Sequence, residues 1–151
     1  MSSGKDLKFD LRPVYALAST NVTAGGAGDG VEITGATINL LLVPKAESVV
    51  FEIPCVAVLT ATKTLIVTGK IQDSANGSSW ADLVASATLL TLTGGGGGST
   101  EYGVARVGVA LSKARQYVRV MATPDLSNTA TDTAVIGAGI AEMNPVELPA
   151  A

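Results

Sequence analysis

The stretch KTLIVTGKIQD (63–73) is what most constrains the fold. Leu65, Val67, Gly69 and Ile71 fall on one side of an extended chain, and Thr64, Thr68, Lys70 and Gln72 on the other. Only Ile66 breaks the alternation. A period of two is the mark of a strand with one buried face. The same pattern returns in 102–111, where Ala105, Val107, Val109 and Leu111 oppose Arg106 and Gly108. It returns again in 116–123, where Val118, Val120 and Ala122 oppose Tyr117, Arg119 and Met121. Further strands are predicted over 35–43, 48–59, 80–84, 87–93 and 134–143, all rich in the Val and Thr that pleated surfaces favour. One segment, 81–90, has a helix-compatible spacing through Leu83 and Ala87, and the strand reading ranks ahead of it.

Turn chemistry separates these runs. SANGSS (74–79) holds Asn76-Gly77, the strongest short hairpin signal. Pro44 and Pro124 mark further turns or edges, and Pro54 predicts a break or an edge within 48–59, because proline cannot donate to a ladder. Short strands at this spacing indicate an all-β fold over 31–151, an antiparallel β-sandwich or a jelly-roll-like barrel. Residues 1–30 read differently. Charges alternate in sign through Lys5, Asp6, Lys8, Asp10 and Arg12; the apolar patch Val14-Tyr15-Ala16-Leu17 follows, then NVTAGGAGDG, a linker composition. They are predicted to form an extended N-terminal arm lying on a neighbouring subunit. Lys5, Lys8, Arg12, Val14, Tyr15 and Leu17 are its candidate contacts.

Composition narrows the partners. Of 151 residues 47% are apolar but only 4% aromatic, so the core must be built from Val, Leu, Ile and Ala. Charged residues make up 15%, against about 25% in typical soluble domains. Such a surface suits close protein–protein packing. The net charge is −3 and the Lys and Arg residues are dispersed, which argues against nucleic acid or an anionic membrane as partner. No run approaches the ~18 apolar residues that span a bilayer. The polar MSSGKDLKFDLR does not read as a signal peptide, and Cys55 alone forms no internal disulfide, so a cytoplasmic product is expected.

Catalytic patterns fail one by one. The chain has no histidine, which removes the commonest general base and the usual triads. TGGGGGST (93–100) lacks the lysine of a phosphate-binding loop and precedes a predicted strand, not a helix. It reads as a mobile connector that, if ordered, is held by a neighbouring chain. Ser2-Ser3-Gly4-Lys5 fits S-x-x-K but has no pocket in a tail. Cys55 reads as a buried structural thiol. Asp73 with Asp82, or Asp125 with Asp132, are conceivable carboxylate pairs, and Asp125, Asn128 and Asp132 a conceivable calcium set; solvated turn residues are the ordinary account of both. Trp80, the only tryptophan, is expected to plug one end of the core, with a sugar platform as the alternative. The expectation is a protein that is not an enzyme, with no cofactor and no small-molecule substrate.

Three short motifs carry a resemblance. Lys70-Ile71-Gln72-Asp73-Ser74 leads into Asn76-Gly77-Ser78-Ser79-Trp80, and Gln116-Tyr117-Val118-Arg119-Val120 follows later. Together with AVIGAGIAEMNPV (134–146), they resemble the small β-sandwich proteins that decorate or cement the capsids of tailed bacteriophages. The resemblance covers roughly residues 55–147 and leaves the N-terminal part and the glycine run unplaced. It implies a homotrimer on the outside of a virion, made in the host cytoplasm and bound to the major capsid protein. Asn76, Gly77, Trp80, Tyr117 and Arg119 would be structural motif residues. A carbohydrate- or surface-binding module and a head–tail or tail component are the alternative readings.

Overall fold

A computed structural model describes residues 11–44 and 46–145. Among these residues eleven strands form: β1 (Arg12–Leu17), β2 (Thr20–Thr23), β3 (Ile33–Thr34), β4 (Ile38–Asn39), β5 (Ala46–Leu59), β6 (Thr64–Ser74), β7 (Ala81–Thr93), β8 (Ser99–Ala110), β9 (Tyr117–Leu126), β10 (Thr133–Ile136) and β11 (Gly139–Pro145). They build two antiparallel sheets. In the first, β5 pairs with β8 along one edge and with β11 and then β10 along the other; β1 extends β11 and β2 extends β10. In the second, β9 pairs with β3 and β4 on one side and β6 on the other, and β7 closes the far edge.

Three of these rows are interrupted strands: β1 with β2, β3 with β4, and β10 with β11. Taken as single rows, they leave two four-row sheets. The chain crosses between the sheets at every connection except the β6–β7 hairpin and the interruptions themselves. That is the jelly-roll arrangement.

The core lies between the sheets and follows the alternation in the sequence. Leu65, Val67 and Ile71 of β6 are fully buried, as are Val118 and Val120 of β9. Phe51 and Ile53 of β5 face them from the first sheet, with Leu17, Ile136 and Met143. Burying one such side chain is worth about 1.5–3 kcal/mol. Aliphatic side chains dominate, as the composition requires.

Several sequence-based expectations are corrected. Residues 12–30 do not stand apart from the packed structure. β1 pairs with β11, Tyr15 opposite Ile140, and β2 pairs with β10. Ala16, Leu17 and Val22 are core residues. The linker-like NVTAGGAGDG opens within β2 and continues as a tied loop: Asp29 accepts the Gly25 N–H at 2.8 Å and the Leu126 N–H at 2.8 Å, and Ala24 N–H donates to the Asp132 carbonyl. Lys5 and Lys8 lie outside the described residues.

The strand expected over 35–43 is cut to Ile38–Asn39. The Asn39 side chain accepts the Leu41 N–H at 3.1 Å and starts a 3₁₀ turn over Leu40–Leu42. The strands expected over 80–84 and 87–93 are one strand, β7, with three register shifts against β6. Pro54 breaks nothing in β5. It sits where the neighbouring row passes from β10 to β11, and the Gly137 N–H reaches its carbonyl at 2.7 Å. The missing donor therefore falls opposite a gap.

Candidate interaction surfaces

The motif residues gather around the β6–β7 turn and the outer face of the second sheet. Ser74 is buried, and its hydroxyl accepts the N–H groups of Asn76 (3.2 Å) and Gly77 (2.9 Å). The Asn76 side-chain oxygen accepts the N–H groups of Ser78 and Ser79, both at 2.9 Å. Gly77 takes φ +77°, a left-handed conformation that suits glycine, directly against the Tyr117 ring.

Trp80 is not the expected core plug. It is half-buried outside the core, and the Arg119 guanidinium stacks 4.1 Å from its ring centroid. Packing against the turn falls to Tyr117 instead. Arg119 also donates twice to Gln72 Oε1, at 3.0 and 2.8 Å, and Gln72 Nε2 donates to Asp82 at 3.0 Å. Lys70 lies 3.6 Å from Asp82 and 3.7 Å from Glu32. The outer face of the second sheet thus carries a ladder of polar groups that satisfy one another across its strands.

The carboxylates do not pair for chemistry. Asp82 is in register with Gln72 on the outer face, whereas Asp73, one residue on, points the opposite way. Asp73 is buried and accepts from Arg115: the N–H at 2.9 Å and the guanidinium at 2.8 Å. That clasp ties the β8–β9 connection to the end of β6. The Arg115 guanidinium holds the Asp73 carboxyl below the usual carboxylate range.

Asp125 is exposed on β9, apart from the Asp132 network. Asp132 is 98% buried by its 2% exposure, and its Oδ1 accepts the Thr60 N–H (3.0 Å), the Thr60 hydroxyl (2.6 Å) and the Asn128 amide (3.0 Å). Burial alone would raise its pKa; these donors, led by the Thr60 hydroxyl and the Asn128 amide, bring it below the ordinary value. No group of three or more His, Cys, Asp or Glu among the described residues could hold a metal ion. Asn128 and Asp132, two of the conceivable calcium ligands, bolt the β9–β10 loop to the β5–β6 turn through Thr60.

Both carboxyls are depressed in the folded state, so each stabilises the fold above its unfolded pKa of about 4 and loses that contribution as pH falls through the folded value. Stability should be level from pH 8 to 5 and fall in stronger acid. Asp132→Asn should flatten that fall in urea-unfolding measurements taken across pH 2–6. An unchanged acid slope would refute the assignment.

Cys55 is buried, with burial pushing its thiol up to about 11, and it donates to the Ile53 carbonyl at 3.4 Å. It is inert packing material. The glycine run is ordered by hydrogen bonds within its own chain. Gly94 N–H donates to the Lys63 carbonyl (2.9 Å) and its carbonyl accepts the Thr62 N–H (3.0 Å). Gly95 N–H donates to the Ser99 hydroxyl at 2.8 Å, and that hydroxyl donates to Glu101 at 2.6 Å.

The outer face of the first sheet is the contrast. Tyr15, Val58, Tyr102, Val104, Val135 and Ile140 are all exposed there, Tyr102 to 75%. Pro54 and Val56 fill the rows between them: Val135, Val56 and Tyr102 stand side by side on three strands, as do Pro54 and Val104 on two. One charged pair interrupts the patch, Glu52 with Arg106 at 3.9 Å. Periodicity alone did not reveal this face, because valines at alternate positions on both sides of β5 read simply as apolar. Of the expected arm contacts, Leu17 is core and Val14 packs against it, while Arg12 and Tyr15 are exposed.

No family model matches the chain, and no curated protein does. Among solved structures, the chain is similar to one of infectious bursal disease virus, Gx strain, with a TM-score of 0.50 and 14% identity over 90% of this chain and 33% of that one. A structure of the T13 particle of the same virus gives a TM-score of 0.49 at 14% identity, covering 96% of this chain and 35% of that one. The PBSX exported protein XepA gives 0.48 at 13% identity, covering 100% of this chain and 42% of that one. The chain spans between a third and about two-fifths of the length of these structures. At such identities the likeness is one of fold.

Proposed function

We propose that this chain is a structural part of a virus particle, a decoration protein that binds the outside of an assembled capsid and stabilises it. One observation carries the reading: the two outer faces of the jelly roll are unlike. The second sheet presents polar groups already paired with one another, fit to face water. The first presents a contiguous apolar patch, and patches of this kind mark sites of protein contact. The first sheet would therefore face the shell and the second the solvent.

The fold shared with an infectious bursal disease virus structure is consistent with such a role, and the motif resemblance adds the finer elements. These are the major capsid protein as partner and three copies around a threefold position. A protein that binds only the assembled lattice stabilises it by mass action, and contacts to several subunits at once multiply. No catalytic step is assigned. The carbohydrate-module reading loses its main support, since Trp80 stacks on Arg119 instead of standing free.

The test mixes the purified protein with undecorated shells and follows binding and heat tolerance. Wild-type protein should bind and raise the temperature at which shells open. Val58→Asp with Ile140→Asp, both on exposed positions of the apolar face, should weaken binding at least ~10-fold, about 1.4 kcal/mol, without unfolding the protein. Absence of binding by the wild type, or full binding by the double variant, would overturn the proposal.

A further inference from the structure

The sandwich has open edges on both sides, and most of them are protected. β1 carries Pro13 and Arg12, and β2 is short and polar. β3 and β4 are two residues each. β7 is kinked by its three register shifts. Prolines, brevity and bulges are the usual devices that keep an edge from pairing with another chain. β8 has none of them. It runs without a register shift from Ser48 opposite Ala110 to Leu59 opposite Ser99, contains no proline or lysine, and among the described residues pairs only with β5.

The direction of its free groups follows from Pro54. The Pro54 carbonyl accepts the Gly137 N–H, so it points away from β8. Pro54 lies opposite Val104. In an antiparallel pair, a residue either exchanges both hydrogen bonds with its opposite number or turns both groups outward. Val104 therefore turns its N–H and C=O out from the sheet edge. By alternation Tyr102 and Arg106 do the same, while Gly103 and Ala105 bond to β5. The side chains of Tyr102, Val104 and Arg106 all stand on the exposed outer face.

We infer that β8 pairs with β8 of a second copy of this chain, antiparallel, about a twofold axis at Val104. This register overlaps nearly the whole strand. It places Val104 against the partner's Val104 and Tyr102 against the partner's Arg106, on the same face of the joined sheet. The exposed Tyr102 ring and the mostly exposed Arg106 guanidinium form a cation–π contact twice across the axis. Because the strand is self-complementary in this way, a second copy is a better occupant than an unrelated strand. Two first sheets become one continuous sheet, and their apolar faces merge into a single surface. Pairing across a twofold is compatible with seating at threefold positions, because icosahedral lattices contain both axes. The inference stands without the shell-binding reading, since it concerns the protein alone in solution.

The test is sedimentation and light scattering on the purified full-length chain, with amide hydrogen exchange on concentrated and dilute samples. Wild-type protein should form dimers, or assemblies built from them. Amides of Tyr102, Val104 and Arg106 should exchange slowly only in the concentrated sample, and those of Gly103 and Ala105 slowly in both. Val104→Pro removes an outward donor that β5 does not use and should weaken pairing about 100-fold. Should that variant fold poorly, Val104→Lys places like charges at the axis on an exposed face and should have the same effect. A monomeric wild type, an assembly that both variants leave intact, or equal exchange at Val104 in both samples would overturn the inference. Shell binding that survives in variants unable to pair would leave the function proposed above standing on its own.

Discussion

Alanine at Gly94 will destabilise the protein by about 3 kcal/mol, while alanine at Gly96, two residues on, will be neutral or stabilise it by roughly 0.5 kcal/mol. A methyl group at Gly94 would press into the carbonyl oxygen of Thr60 and lie 3.0 Å from the Leu59 Cβ. Those atoms belong to the β5–β6 turn, which Gly94 also grips through its N–H and C=O. The turn cannot yield without losing those bonds. Gly96 has nothing within 4 Å of an added Cβ, so alanine there only reduces the freedom of the unfolded chain. Gly97 and Gly98 sit between these limits. Their φ values of +84° and +87° cost a side chain about 1–2 kcal/mol each. Urea unfolding of the four single variants should rank them Gly94 worst, then Gly97 and Gly98, then Gly96. Four similar values would show that the run is loose in solution, contrary to the hydrogen bonds described.

Phe51→Ala should be the most damaging single truncation in the core, at about 3–5 kcal/mol. Phe51 is wholly buried on the central strand of the first sheet, registered with Ala141 on one side and Val107 on the other. Neither neighbour is large, and the chain holds few aromatics with which to refill the space. A loss of that size lowers the melting temperature of a chain this long by roughly 10 °C. Tyr102→Ala provides the contrast. Its side chain is 75% exposed, so monomer stability should change by no more than about 0.5 kcal/mol. Calorimetry on dilute samples separates the two. Comparable losses would mean that the outer face is packed within one chain.

The elements legible in the sequence were those whose pattern is local. β6 alternates with one exception, and the residues it was expected to bury are buried, joined at its end by Asp73 and Ser74. β9 does so in part: Val118, Val120 and Ala122 are buried, and Met121 joins them from the other side. The Asn76-Gly77 turn was visible for the same reason, although the side-chain bonds around Ser74 made it a longer loop than the dipeptide implies. What escaped the reading depends on partners far away in the chain. β1 and β2 are short, and only their pairing with β11 and β10 makes them strands, so Val14–Leu17 looked like a patch on a tail. Pro54 looked like a break because its tolerance depends on a gap in another strand. Trp80 looked like core because nothing local shows that Arg119 lies over it. The apolar outer face was hidden for a related reason: a strand apolar on both sides does not announce which side meets its own chain.

The place of β10 and β11 bears on how the protein is made. Both lie against β5, yet of the described strands they leave the ribosome last. The β5–β8 and β6–β9 pairings become possible earlier, but until then one long flank of β5 has no partner, and β1 and β2 have nothing to pair with at all. Pairings this distant in sequence are slow to close and leave bare strand flanks open to other chains. In a cell making many copies at once, the interval between β9 and β11 is when nascent chains are most exposed to mispairing. Slower translation over that stretch should lower the soluble yield.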